Sequence, residues 1–176
     1  AGFIGFPENR KYAKQANEIQ KHRGPDSQAV WSNEFLSLAH QRLSIIDLSN
    51  RSDQPLVKNE YVIVYNGELY NHKEIRTFIS KDSSFWRGDS DTETLLALIE
   101  KVGLSQALTK ISGMFALCLL DKKDQRIYLA RDRTGEKPLY YGLINGSFLF
   151  GSELKPFKYF PDFRFELDIL ALKEYV

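Results

Sequence analysis

The order of strand-like and helix-like segments is the feature of this sequence that most restricts its fold. A short helix is predicted at residues 12–21, and strand-like runs follow at 29–31, 36–46 and 61–65. Helical patterns then cover 72–81, 92–102 and 104–111, and two hairpins follow, 113–120 with 126–130 and 138–143 with 147–151. Because strands give way to helices and then to strands again, without regular βαβ alternation, we expect largely antiparallel sheets that carry helices.

Local patterns sharpen three of these predictions. Residues 61–65 (Tyr-Val-Ile-Val-Tyr) are apolar on both faces, which is typical of a strand covered on both sides. Asn66-Gly67 follows and is a common turn dipeptide, so the strand is predicted to end there. Asn145-Gly146 predicts the turn of the last hairpin, and Ser90 with Glu93 predicts a helix capping box.

Composition and charge exclude several classes of protein. The chain has 176 residues, with 24 Lys and Arg against 23 Asp and Glu, which argues against a strongly basic nucleic-acid binder. No apolar run approaches the length of about 20 residues that a membrane span needs. Cys118 is the single cysteine and has apolar neighbours, so we expect a buried structural thiol, no disulfide and no metal site. A cytoplasmic protein that binds neither nucleic acid nor membrane is the expectation.

Four polar positions among the apolar runs could together hold a free amino acid. Arg42 interrupts a strand pattern and could bind a carboxylate, while Glu68 or Asp91 could bind an ammonium group. The Asn66 amide and the Gly67 N–H could stabilise an oxyanion. Arg42, Asn66-Gly67 and Asp91 also have plainer interpretations: a cation at a sheet rim, a hairpin turn and a helix-capping acid, respectively.

Seven segments, taken in order, resemble a known family. The sequence is similar to the N-terminal glutaminase domain of glutamine-hydrolysing asparagine synthetases, which are class II (N-terminal-nucleophile, Ntn) amidotransferases. The similarity covers nearly the whole chain. The segments are His22-Arg23-Gly24-Pro25-Asp26, residues 39–47, Tyr65-Asn66-Gly67-Glu68-Leu69-Tyr70-Asn71, Ser90-Asp91-Thr92-Glu93, Gly113-Met114-Phe115-Ala116, residues 130–141 and Gly151-Ser152-Glu153-Leu154-Lys155.

The resemblance implies a fold and a domain organisation. The expected fold is α+β, a four-layer αββα Ntn-hydrolase sandwich of two mostly antiparallel sheets between helices. Residues 1–176 are expected to form the glutaminase domain, cut at its C-terminus within a helix that begins at residue 167. A C-terminal ATP-dependent synthetase domain is expected in the parent protein and is absent from this chain.

The resemblance also implies roles for individual residues. The family's nucleophile is an N-terminal Cys whose own α-amino group is the base, and Ala1 falls at that position, since Gly2 and Gly5 match the family's two glycines. Asn66 and Gly67 match the oxyanion hole, and Arg42 matches the residue that binds the α-carboxylate of glutamine. The remaining glutamine-binding positions implied are Leu43, Ser44, Ile45, Ile46, Glu68 and Asp91, and no metal ligand is implied.

The implied activity is hydrolysis of glutamine to glutamate and ammonia, which the synthetase domain would use to amidate aspartate to asparagine. Within this chain no cofactor is expected, while ATP and Mg²⁺ are expected in the synthetase domain. Glutamine and that domain are the expected partners, and a homodimer is left open. Because alanine has no thiol, we expect this chain to be inactive, and an engineered substitution and a natural loss both account for Ala1. The alternatives are a relative that amidates another carboxylate and a non-catalytic glutamine-binding module.

Overall fold

The computed structural model describes residues 2–7, 10–161, 163–166, 169 and 173–174. The described residues form nine β-strands and four α-helices. The strands are β1 (Gly2–Pro7), β2 (Ser27–Ser32), β3 (Leu36–Arg42), β4 (Leu56–Lys58), β5 (Tyr61–Leu69), β6 (Gly113–Asp121), β7 (Arg126–Arg131), β8 (Tyr140–Ile144) and β9 (Ser147–Gly151). The helices are α1 (Arg10–Glu18), α2 (His72–Ile79), α3 (Asp91–Val102) and α4 (Leu104–Lys110).

The strands form two antiparallel sheets. The first has the order β2-β3-β1-β9-β8 and the second the order β4-β5-β6-β7. Every strand pair described is antiparallel. The absence of βαβ alternation in the sequence therefore led to the right sheet type.

Three apolar layers hold the sheets and helices together. Phe3, Leu38, Val62 and Val64 belong to the layer between the two sheets. Alternate residues of β5, such as Ile63, point the other way and pack with residues of α2, α3 and α4. A third layer joins the first sheet to α1. The result is the predicted αββα arrangement, in which strand 61–65 is covered on both faces as its sequence indicates.

Two of the sequence predictions are wrong in detail. Asn66 and Gly67 do not form a turn, because β5 continues to Leu69 and pairs them with Ala116 and Phe115 of β6. The strand predicted at 36–46 ends at Arg42, where the chain leaves the sheet. By contrast, Asn145-Gly146 does turn the last hairpin, with φ angles of 48° and 79°.

The predicted capping box is only half present. Ser90 caps α3 by accepting a hydrogen bond from the Thr92 N–H at 3.1 Å. The Glu93 carboxylate, however, accepts from the N–H groups of Arg87 and Gly88 at 2.8 and 3.1 Å. It therefore anchors the segment before the helix instead of returning to Ser90.

Two predictions concern the thiol and the chain end. Cys118 is fully buried between the sheets, so the prediction of a buried thiol is confirmed, and burial raises the pKa of that thiol. The helix expected from residue 167 falls largely outside the described residues. Among those described, no helix has the length and apolar character needed to cross a bilayer.

Gly5 of β1 gives a stability test of the packing between the sheets. A Cβ at Gly5 would lie 2.0 Å from the Phe150 ring, whereas a Cβ at Gly142 of β8 would have no neighbour within 4 Å. We expect Gly5→Ala to lower the free energy of unfolding by about 1–3 kcal/mol, because the buried ring has to shift. Gly142→Ala is the control and should be neutral or slightly stabilising.

Urea denaturation of both variants measures this difference. Equal unfolding free energies for the two variants would contradict the tight contact at Gly5. Gly5→Ala should lower the free energy of unfolding less in a Phe150→Leu background than in the unmutated chain. The smaller side chain at position 150 relieves the overlap with the new Cβ.

Candidate functional site

A pocket opens where the end of β3 approaches β5 and the start of α3. Most of the residues singled out in the sequence lie around it. The lining consists of His40, Arg42, Leu43, Ser44, Ile45, Ile46, Asp47, Ser52, Gln54, Tyr65, Gly67, Glu68, Ser90, Asp91 and Thr92. Residues far apart in the chain are therefore brought together at one end of the sandwich.

Arg42 is the last residue of β3 and lies at one side of the pocket with 8% of its surface exposed. Its Nη1 donates to the Asp53 carboxylate at 2.7 Å and to the Ser49 carbonyl at 2.8 Å, and its Nη2 donates to the Asp47 carbonyl. A guanidinium has more N–H donors than these three bonds use. Arg42 therefore holds the following loop in place and has N–H donors that these three bonds leave unused.

Asp47 fixes the far end of the same loop. Its carboxylate accepts from Ser52 Oγ at 2.6 Å, from the Ser49 N–H at 2.8 Å and from the Asp89 N–H at 2.9 Å. Desolvation opposes ionisation, but these hydrogen bonds outweigh it and hold the pKa of Asp47 below its ordinary value. The pocket wall at residues 43–46 is thus tied to the segment that leads into α3.

In the described part of the chain, the edge of β5 that faces the pocket has no strand partner beyond Ile63, because β4 pairs only with Tyr61–Ile63. Side chains replace the missing strand. The Tyr65 N–H donates to Gln54 Oε1 at 2.6 Å, the Tyr65 carbonyl accepts from His40 Nε2 at 3.3 Å, and the Leu69 N–H donates to Asp91 Oδ2 at 3.0 Å. Gly67 lies between these two anchored residues on the same edge.

The Gly67 N–H is directed into the pocket. Gly67 is opposite Phe115, which uses its own N–H and carbonyl on Asp132, at 3.2 and 2.8 Å. The two residues are therefore a pair that exchanges no hydrogen bonds, and the Gly67 N–H points to the open edge. No acceptor for it is found among the described residues. A Cβ at Gly67 would lie 2.3 Å from the Met114 carbonyl oxygen, so the close strand approach requires glycine here.

Asn66 faces away from this edge. It is on the face of β5 that carries Val62 and Val64, towards the first sheet, and only 3% of its surface is exposed. Its Nδ2 is buried and has no hydrogen-bond partner in the described part of the chain. Asn66 is not among the residues that line the pocket. The unused Asn66 donor therefore lies on the face of β5 that is directed towards the first sheet. The Gly67 N–H lies at the open edge of the same strand.

Asp91 is the first residue of α3 and lies at another side of the pocket with 8% of its surface exposed. Burial raises the pKa of its carboxyl, against the hydrogen bond from the Leu69 N–H, and the nearby charge of Glu68 adds to the increase. A buried carboxylate in this condition is stabilised by a cation placed beside it. Glu68 also lines the pocket and is half-buried.

Ala1 lies outside the described residues. The next residue, Gly2, pairs with Gln41, the residue that precedes Arg42. The described start of β1 is therefore adjacent to the end of β3, at the side of the fold where the pocket lies. Across the described residues, no group of three or more His, Cys, Asp or Glu side chains is arranged to hold a metal ion.

Sequence reasoning missed three residues that shape this pocket: His40, Asp47 and Gln54. A signal existed for His40, because strand alternation puts it on the same face as Arg42. Asp47 and Gln54 act through loop contacts, for which no periodic pattern exists.

Comparisons with known proteins agree with this fold. The family model described as "Glutamine amidotransferase domain" matches residues 1–176. The chain is 39% identical over 186 residues to asparagine synthetase [glutamine-hydrolyzing] 1 of Bacillus subtilis, covering 99% of this chain and 29% of the relative. It is 37% identical to asparagine synthetase B of Escherichia coli over 84% of this chain and 27% of that protein. The chain thus spans under a third of the length of these relatives.

Among solved structures, glutamine phosphoribosylpyrophosphate amidotransferase from B. subtilis matches with a TM-score of 0.76, at 19% identity, over 90% of this chain and 43% of that chain. At this low identity the match concerns the fold, and it confirms the predicted Ntn-hydrolase sandwich. The family match extends over the full length of the sequence. The chain therefore belongs to the glutamine amidotransferase domain family.

Proposed function

We propose that this chain is the glutaminase domain of an asparagine synthetase, and that its pocket binds glutamine. In the full enzyme, with a cysteine at position 1, the domain would hydrolyse glutamine to glutamate and ammonia. The observation that carries this proposal is the convergence of Arg42, Asp91 and the Gly67 N–H around one pocket. These groups match the two charged poles and the side-chain carbonyl of a glutamine zwitterion.

The two poles of the amino acid have complementary partners. The donors of Arg42 that the loop does not use would bind the α-carboxylate, with charge-assisted hydrogen bonds. Asp91, with Glu68 nearby, would bind the α-ammonium group, whose positive charge compensates the burial of the carboxylate. The backbone of residues 43–46 would line the space between them.

The carbonyl of the side-chain amide would approach the open edge of β5. The free Gly67 N–H and the unpaired Asn66 Nδ2 would donate to the oxygen as it gains negative charge. The α-amino group of the cysteine at position 1 would take the thiol proton, and the thiolate would form a bond to the amide carbon. The C–N bond would then break as the leaving nitrogen takes up that proton and departs as ammonia. Water would then hydrolyse the resulting thioester to glutamate.

This chain lacks the attacking group in that scheme. Ala1 has a methyl group where the family has its thiol. Cys118 cannot replace it, because it is fully buried and its thiol pKa is raised. We therefore propose that the chain as written binds glutamine without hydrolysing it.

The role of the parent protein is a proposal that rests on its relatives. Residues 1–176 would supply ammonia to an ATP- and Mg²⁺-dependent domain outside this chain, which would amidate aspartate to asparagine. Amidase chry2 of Gibberella zeae, which is not named as an asparagine synthetase, is also similar, at 39% identity over 80% of this chain and 21% of that protein. An amidotransferase of the same family that acts on another carboxylate acceptor is the second candidate for the parent protein.

A non-catalytic glutamine-binding module is the alternative favoured by Ala1 itself. The pocket is compatible with binding alone, since Arg42 is held by Asp53 and Asp91 by the Leu69 N–H. The first codons of the natural gene separate these possibilities: a Cys codon at position 1 supports the enzyme, and an Ala codon supports the module.

Replacing Ala1 with cysteine tests the proposed function. We expect the chain as written to bind glutamine in calorimetry and to release no ammonia. Ala1→Cys, with its N-terminus free, should release ammonia from glutamine, whereas Ala1→Ser should be far slower because a hydroxyl is a weaker nucleophile than a thiol. The proposal would be contradicted if the unmutated chain did not bind glutamine, or if the unmutated chain and Ala1→Cys released ammonia equally.

Arg42→Ala in the Ala1→Cys background should mainly raise the KM for glutamine. We expect an increase of roughly 10- to 100-fold, since a hydrogen bond to a charged group contributes about 1.5–3 kcal/mol. Asp53→Ala is the matched control, because it removes a partner of the loop anchor and leaves the guanidinium in place. If steady-state kinetics give the same KM increase for both variants, Arg42 acts through the loop and does not bind the carboxylate.

Asn66→Ala in the same background should lower kcat by about 10²–10³-fold if its amide stabilises the oxyanion. Asn71→Ala is a control in the turn after β5, where Asn71 Nδ2 donates to the Lys110 carbonyl at 3.0 Å. Steady-state ammonia release measures both variants. A near-normal kcat for Asn66→Ala would assign Asn66 to packing between the sheets.

A further inference from the structure

His40 has a buried hydrogen-bond acceptor that the proposed glutamine contacts do not use. It lies in β3, two residues before Arg42 and on the same face of the strand, and it lines the pocket with only 1% of its surface exposed. Its Nε2 makes a hydrogen bond of 3.3 Å with the Tyr65 carbonyl. Because a carbonyl oxygen only accepts, Nε2 carries the hydrogen and donates it.

This contact defines the state of the other ring nitrogen. Burial lowers the pKa of His40 to about 3, so the imidazole is neutral at physiological pH. With the hydrogen on Nε2, Nδ1 has a free lone pair and can only accept. Nδ1 is buried and finds no donor among the described residues. Such an acceptor is unfavourable unless a ligand or a water supplies an N–H or O–H.

Hydrogen-bond donors that lack partners among the described residues lie near His40. The Gly67 N–H faces the same pocket, and Asn66 Nδ2 is an unpaired donor on the face of β5 that looks towards β3. The Gly67 N–H at the pocket, and the acceptor of His40, whose ring bonds to Tyr65 two residues earlier in the same strand, match a primary carboxamide, whose oxygen accepts and whose NH₂ group donates. A carboxylate has no hydrogen to give and would place negative charge against the Nδ1 lone pair.

We propose that His40 Nδ1 accepts a hydrogen bond from the side-chain NH₂ of bound glutamine and thereby sets the preference of the pocket for glutamine over glutamate. This inference rests on the proposed function, because it assumes that glutamine occupies the pocket. It assigns His40 as a residue that determines specificity, separate from the nucleophile and the oxyanion donors. The same preference would help the site to release glutamate after hydrolysis.

Binding measurements on the chain as written test the proposal without turnover. Dissociation constants for L-glutamine and L-glutamate are measured by calorimetry for the parent, His40→Gln and His40→Asn. The Gln amide nitrogen lies near the position of Nε2 and preserves the donor to Tyr65, whereas the Asn amide lies near Nδ1 and can preserve the acceptor. The two variants therefore separate the two edges of the imidazole.

We expect the unmutated chain to bind glutamine more tightly than glutamate. His40→Gln should lose about tenfold of that preference, mainly through weaker glutamine binding, and His40→Asn should retain most of it. The proposal would be overturned if His40→Gln kept the full preference for glutamine. It would also be overturned if both variants lost the preference equally and to the extent that their melting temperatures fell. Failure of the parent to bind glutamine at all would instead overturn the proposed function.

A measurement on the unmutated chain covers the case in which the variants fail to fold. In ¹⁵N-labelled protein, the Nδ1 resonance of His40 should move on addition of glutamine in the direction of an accepted hydrogen bond. Saturating glutamate should leave it in place. An unchanged Nδ1 resonance at saturating glutamine would show that no N–H reaches this nitrogen and would refute the assignment.

Discussion

The open edge of β5 is the constraint on which the site depends. Beyond Ile63 the strand has no strand partner on this side among the described residues, and buried backbone N–H and carbonyl groups cannot be left without partners at low cost. Gln54, His40 and Asp91 supply those partners from three other parts of the chain. Each contact also draws a polar side chain to the pocket. The edge is thus stabilised by the residues that define the chemistry of the cavity.

Arg42 and Asp47 show how charge organises the adjacent loop. Arg42, where the chain leaves β3, binds the Asp47 and Ser49 carbonyls and the Asp53 carboxylate. The Asp47 carboxylate accepts from three donors at the far end of the loop. A loop held at both ends can present the backbone of residues 43–46 in one arrangement. Because Arg42 shares its donors between this loop and the proposed ligand, the order of the wall and the affinity of the pocket are linked.

The sequence predicted the layers of the fold well and the fine structure of the site less well. Apolar runs and their order define which faces are buried, so strand 61–65 and the antiparallel hairpins were predicted correctly. Asn66-Gly67 was misjudged because its turn propensity is local, whereas the approach of the Met114 carbonyl that requires Gly67 comes from a distant strand. Glu93 was misjudged for a similar reason, since its partners belong to the preceding segment. His40 and Gln54 bond to the exposed edge of β5, a feature that no repeat in the sequence encodes. The roles of Arg42, Asn66 and Asp91 in glutamine binding stay predictions.

The location of Cys118 has a practical consequence. It is the only cysteine of the sequence, and it is enclosed between two sheets with its thiol fully protonated at neutral pH. A sulfur introduced at the N-terminus would consequently be the single thiolate that an alkylating reagent could reach in the folded protein. Because Cys118 does not react, one sulfur added at residue 1 can be titrated, counted and labelled without replacing Cys118.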